Sequence, residues 1–302
     1  MFAVAALAYS CFVAFIYIRD PYGRSGLRSR AEMANLPERL IAVSRAMDSQ
    51  FDAAIIGNST SIMLQPESLD QLSGRRFVSL SNSGGGPVLA LATARLFFRY
   101  HPNARALIVA MDYGWCTKGK DVGEQHPYPA WLYGSTFDYL LGLFRHASID
   151  MLNTSYQEQG HLRIDGFHPY NDAFRDIDDM ATTMERLSRT TRPTASRYPA
   201  PYTFDPPAML RDLISTAPSG MTFVLFWTPR YLTMQPVEGT SADMEDAACK
   251  RQFAEIASPR VRIVDWSGPR PENRDPTNFF DTNHYRDNLA RLVERDIADA
   301  LR

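Results

Sequence analysis

The chain is short of lysine: Lys118, Lys120 and Lys250 are its only three, and arginine carries the rest of the positive charge. Charge of either sign is not in excess, because the net value is −2 at pH 7. A nucleic-acid partner would call for a basic field that this sequence lacks. Cysteine is scarce as well, with three residues and no Cys-x-x-Cys or zinc-ligand spacing. Cys11 sits in an apolar leader. Cys116 and Cys249 could pair in an exported chain or remain free thiols, since sequence does not place their Cβ atoms. His126, His146, His161 and His168 show no metal-ligand spacing, so neither a metal nor a cofactor is expected. There is no internal repeat and no low-complexity stretch. What is present is globular in composition, 45% hydrophobic and 22% charged. A length of 302 residues fits one large domain or two small ones.

Only one long apolar run exists. Residues 2–18 carry no charge, which is the lower limit for a membrane helix and longer than a usual signal-peptide core. No small-x-small cleavage site follows it; Arg19-Asp20-Pro21-Tyr22-Gly23 does. We expect an uncleaved anchor over 1–19, a juxtamembrane connector and helix over 20–50, and a domain over 51–302 outside the cytoplasm. Arg19, Arg24, Arg28 and Arg30 all follow the run, against the positive-inside preference for that orientation. The alternative is a buried first helix of a cytosolic domain.

Downstream, the hydrophobic pattern alternates between short apolar runs and helical periodicity. Ala53 to Ile56 reads as a buried strand that breaks at Gly57-Asn58-Ser59. Gly57 would supply positive φ, and Asn58 is a good helix cap. A helix over 66–72, a strand over 77–82, a glycine turn at 83–87, a helix over 88–100 and a strand over 106–111 follow. That β-α-β-α-β order predicts a parallel sheet with right-handed crossovers. Residues 116–204 break the rhythm and are rich in Tyr, His, Pro, Gly and Arg. With helices over 137–144 and 178–187, they read as an inserted cap above the carboxyl edge of the sheet, shaping a cleft or forming an oligomer contact. The pattern then resumes with a helix over 206–216, a strand over 221–227, a helix over 242–256, a strand over 261–266 and a closing helix to Leu301.

Two spots carry chemistry. Ser59 follows the first strand and precedes a helix start, so its hydroxyl lies at the carboxyl edge, where open α/β sheets bind ligands and a helix N-terminus favours developing negative charge. Alone, Ser59 reads equally as a cap. In Asp281-Thr-Asn-His284 the carboxylate can reach the ring Nδ1, fix the tautomer and leave Nε2 as a base. Alone, Asp281 reads equally as an N-cap beside a packing histidine. Together, both spots fall on one edge of one sheet, where nucleophile, base and orienting acid could meet. Arg230, just past the fourth strand, could face an anionic sugar or form a structural ion pair. Asp112 could tune His284, bind a sugar hydroxyl or cap the strand end. Tyr113, Trp115 and Trp131 could stack on sugar rings or pack internally.

At these residues the chain resembles the SGNH (GDSL-type) hydrolases, most of all their membrane-anchored, envelope-facing branch, similar to alginate-acetylation and lipoteichoic-acid D-alanylation proteins. The resemblance covers about 50–115 and 205–302, with Asp20-Pro-Tyr22 beside the apolar run. It implies a three-layer flavodoxin-like α/β fold on five parallel strands. It implies Ser59 as nucleophile, Asp281 and His284 as acid and base, and backbone amides of Ser59 and Gly84 as oxyanion donors; Asn82 or the inserted cap could stand in for the family's side-chain donor. Two departures stand out: Gly57-Asn-Ser replaces Gly-Asp-Ser, and Asp112 stands where the family carries an Asn. An ionised Asp112 cannot donate a hydrogen bond. The implied activity is an esterase or O-acyltransferase on acyl groups of an envelope polysaccharide. The implied location is the bacterial inner membrane with a periplasmic domain, beside a membrane acyltransferase partner. The other outcome is an inactive glycan-binding or scaffold protein of the same fold.

Overall fold

A computed structural model of the chain describes residues 2–20, 22–25, 38–122, 128–143 and 179–302. Five parallel strands form one sheet in the order β2-β1-β3-β4-β5. They are β1 (Ala53–Ile56), β2 (Phe77–Ser79), β3 (Ala106–Met111), β4 (Thr222–Trp227) and β5 (Val261–Asp265). The helices are α1 (Phe2–Arg19), α2 (Glu38–Ala46), α3 (Pro66–Ser73), α4 (Pro87–Tyr100), α5 (Ala130–Tyr133), α6 (Thr136–Gly142), α7 (Met180–Ser188), α8 (Pro206–Thr216), α9 (Ser241–Ala254) and α10 (Asp287–Ala300). This strand order is the flavodoxin-like doubly wound one, whose crevice opens where the order reverses, between β1 and β3.

Every residue of β1 and β3 is buried, as parallel strands covered on both faces must be. Their continuous apolar runs are the sequence expression of that burial. One core layer packs Val43 of α2, Leu91 and Phe97 of α4, Leu210 and Leu213 of α8 and Phe253 of α9 against one sheet face. The second packs Leu69 of α3 and Leu289, Val293 and Ile297 of α10 against the other. Gly74 closes α3 with φ +66°, a left-handed cap that glycine adopts without a Cβ clash.

β2 is shorter than its apolar pattern suggests. Leu80 N and Asn82 N still donate to Ile55 O and Gly57 O of the neighbouring strand end. The Asn82 side chain takes Leu80 O at 2.9 Å, and the chain turns into Gly84-Gly85-Gly86.

The expectation of a membrane-spanning first helix is not carried by the structure. α1 forms, but no helix among the described residues is long and apolar enough to cross a membrane. The carboxyl end of α1 is built into the domain. Ile16 is fully buried in the first core layer. The ring of Tyr22 stands edge-on to Trp131 at 5.2 Å, and Tyr17 meets Tyr139 of α6. Arg24 donates to Leu132 O and Gly134 O. Val4, Leu7, Phe15 and Ile18 remain exposed.

Glu294 of α10 is fully buried. It accepts from Gln65 N at 2.6 Å and pairs with Arg291 at 2.8 Å. Burial pushes its carboxyl up to about 7, against the charge of Arg291 and hydrogen bonds from Ser68 and Gln65. A carboxyl raised on folding stabilises the native state fully below its unfolded value, and that contribution fades as pH rises through the folded one. Urea denaturation should therefore show stability falling between about pH 4.5 and 7 by on the order of 3 kcal/mol more in the wild type than in Glu294→Gln. Parallel slopes in the two proteins would contradict this.

Candidate active site

The β1 exit sets the nucleophile's position. Ser59–Ser61 form one 3-10 turn capped by Asn58. The Asn58 Oδ1 accepts from Thr60 N at 3.0 Å and Thr60 Oγ1 at 2.8 Å. Ser61 Oγ donates back to Asn58 O at 2.7 Å. Gly57 serves this turn through its size. It is not among the residues of positive φ, so the expected conformational role is corrected. A Cβ there would lie 2.6 Å from Ser61 Oγ and 2.9 Å from Ala110 Cβ. Gly57→Ala should cost about 1–3 kcal/mol in thermal or urea unfolding and displace Ser59. Wild-type stability in that variant would show that the turn has slack.

The base arrives from the other end of the chain. Ser59 Oγ and His284 Nε2 are 2.8 Å apart. His284 Nδ1 lies 2.8 and 2.7 Å from the two oxygens of Asp281. Asp281 Oδ1 also accepts from the backbone N–H groups of Asn283 and His284, each at 2.9 Å. Burial works to raise the Asp281 carboxyl, but the His284 hydrogen bond and charge and the two N–H groups outweigh it and hold it below the usual range. An ionised Asp281 keeps the proton on Nδ1 and leaves the Nε2 lone pair directed at Ser59.

Ser59, His284, Gly84, Asp112 and Tyr113 line one open cleft of about 570 Å³. It lies over the carboxyl ends of β1 and β3. Gly84 has φ +63°, a left-handed conformation that suits glycine. Among the described residues, neither the Ser59 nor the Gly84 backbone N–H takes a hydrogen-bond partner. Both are available to an oxyanion.

Asn82 is a correction. It is buried, is not part of the cleft lining, and its amide donates to Leu80 O. Arg230 is another. Its guanidinium holds both Asp246 oxygens, at 2.8 and 2.7 Å, and Ser267 O at 3.0 Å. It borders a small neighbouring cavity instead of the cleft, so it stands as a structural ion pair. Asp112 is a cap in the cleft wall: Gly114 N donates to its Oδ1 and Asn58 Nδ2 to its Oδ2, each at 2.8 Å. Burial raises its carboxyl above the usual range in spite of those two donors. Tyr113 is 42% exposed. Trp115 packs inside against Phe253, and Trp131 stacks on Tyr139, so neither is a free platform.

The far wall escaped residue-level reading. Arg197 and Tyr198, near the end of the insertion, line the cleft beside Asp121. The expectation that the insertion contributes to a cleft holds for these residues. Arg197 is spoken for: it pairs with Glu245 and donates to Cys116 O. Cys116 and Cys249 form a disulfide, with Cα atoms 5.6 Å apart, which ties this wall to α9. No group of metal-ligating side chains forms among the described residues; His126, His146, His161 and His168 lie outside them.

The chain matches no protein-family model, and neither a curated protein nor a solved structure matches it.

Proposed function

We propose that this protein is a serine esterase or O-acyltransferase of the SGNH type that works through Ser59, His284 and Asp281. The observation that carries the reading is the continuous relay Ser59 Oγ, His284 Nε2, His284 Nδ1, Asp281, with every link at 2.7–2.8 Å. His284 takes the Ser59 proton while Oγ attacks an acyl carbonyl. The backbone N–H groups of Ser59 and Gly84 receive the oxyanion. The alcohol leaves with the proton from Nε2, and the acyl group then passes to water or to a sugar hydroxyl.

A cleft of about 570 Å³ has the volume for a sugar residue carrying an acyl group, and the partly exposed Tyr113 lines it. An acylated polysaccharide is the substrate class we favour, acetyl being the acyl group. The Cys116–Cys249 disulfide suits an oxidising compartment, and the exposed apolar side chains of α1 suit attachment to a membrane. In the transfer version of the reaction, a membrane acyltransferase would pass on the acyl group.

The competing reading is a glycan-binding or scaffold protein on the same fold. It draws on the two positions from which a side-chain donor was expected: Asp112 is a carboxyl in the cleft wall, and the Asn82 amide donates to Leu80 O. Hydrolysis of p-nitrophenyl acetate by the purified protein, abolished in Ser59→Ala, selects the enzyme. Equal rates in wild type and Ser59→Ala, with acetylated glycan still bound, select the binding protein.

A further inference from the structure

The exits of β1 and β3 are built alike. Each strand ends in a cap residue with nearly the same backbone, Asn58 at φ −118°, ψ −156° and Asp112 at φ −120°, ψ −168°. Each cap begins a 3-10 turn and holds the N–H two residues on, Thr60 N in one and Gly114 N in the other. The first residue of each turn, Ser59 or Tyr113, lines the cleft. The two caps also hold each other: Asn58 Nδ2 donates to Asp112 Oδ2 at 2.8 Å, across 54 residues of sequence.

We propose that Asn58 and Asp112 are a pair of positioning residues whose mutual hydrogen bond fixes the Ser59 hydroxyl against the Tyr113 ring, the contact for the alcohol part of the ester. This rests on the esterase reading above. Each polar atom of the two side chains has a partner: Asn58 Oδ1 accepts from Thr60, Nδ2 donates to Asp112, and the two Asp112 oxygens accept from Asn58 and Gly114. A single exchange at either position therefore breaks the donor–acceptor match between them. Asp at 58 would still cap Thr60, because Asp and Asn cap equally well, but it would set carboxylate against carboxylate. Asn at 112 would still cap Gly114 through its oxygen, but it would set NH2 against NH2. Making both changes restores every bond with the donor and acceptor reversed, and the net charge of the pair is unchanged. Space around the second turn is equally tight, since a Cβ on Gly114 would lie 2.9 Å from Asp112 Oδ1.

The test measures the rate at which a fluorophosphonate labels Ser59, with kcat and KM on p-nitrophenyl acetate, in Asn58→Asp, Asp112→Asn and the double exchange. Each single exchange should lower labelling and kcat by about tenfold or more. The double exchange should return both to within about threefold of wild type. Two independent caps would give singles at the wild-type rate, or a double exchange slower than either single, and either result overturns the proposal. If a single exchange fails to fold, a folded and reactive double exchange still supports the pair. If the double also fails to fold, Asn58→Ala, Asp112→Ala and their combination decide by melting temperature: less-than-additive losses support the pair and additive losses overturn it. A wild type that resists labelling refutes the esterase reading, and the same alanine cycle then judges the pair by itself.

Discussion

Replacing Ser59 or His284 with alanine is expected to remove ester hydrolysis almost completely, by a factor of about 10⁴ to 10⁶ in kcat. The two losses should not add. Without Oγ there is no nucleophile, and without Nε2 the hydroxyl keeps its proton, so either change stops the same step. Asp281→Asn should lose about 10⁴-fold. The amide favours the wrong tautomer, with the proton on Nε2 facing Ser59. Ser59 is only partly buried and belongs to neither core layer. Its alanine variant should therefore unfold within about 0.5 kcal/mol of wild type. A Ser59→Ala protein that retains wild-type turnover would end the catalytic account.

The second large effect is on stability. Cys116 and Cys249 are both buried and close a loop of 133 residues. Chain-entropy reasoning gives such a link about 4–5 kcal/mol. For a domain of this size the corresponding drop in melting temperature is roughly 10 °C. A Cys116→Ser, Cys249→Ser double variant, or the wild type melted with reductant, should show it. The reduced protein should also bind substrate more weakly, because Arg197 holds the far wall of the cleft through Cys116 O. Unchanged melting with and without reductant would refute the structural role.

Much of this was legible in residue order. β1 and β3 announce themselves because strands covered on both faces must be apolar throughout. The triad was legible because a serine at a strand exit and an Asp-x-x-His before the last helix fall on the same edge once the sheet is parallel. What was not legible depends on neighbours remote in sequence. Gly57 looks like a turn glycine, and the fold shows that it is needed for room, between Ser61 Oγ of its own turn and Ala110 on the adjacent strand. Arg230 looks available until α9 brings Asp246 beneath it. Leu80 to Asn82 has the composition of a strand, but a side-chain amide captures the carbonyl that would continue it. Asn58 and Asp112 meet only because β3 lies next to β1 in the sheet. No local pattern encodes that adjacency.

Ser59 and His284 are separated by 225 positions, and on the proposed reading this spacing would govern when reactivity can appear. A nascent chain already presents the Ser59 hydroxyl, yet the proposed base is still within the ribosome. On the proposed reading, such a chain would be inert toward esters however well its first strands have paired. On that reading, competence would require the segment between β5 and α10 that carries His284, so proteolytic loss of the last few tens of residues would leave a protein that keeps most of its sheet and loses the proposed chemistry.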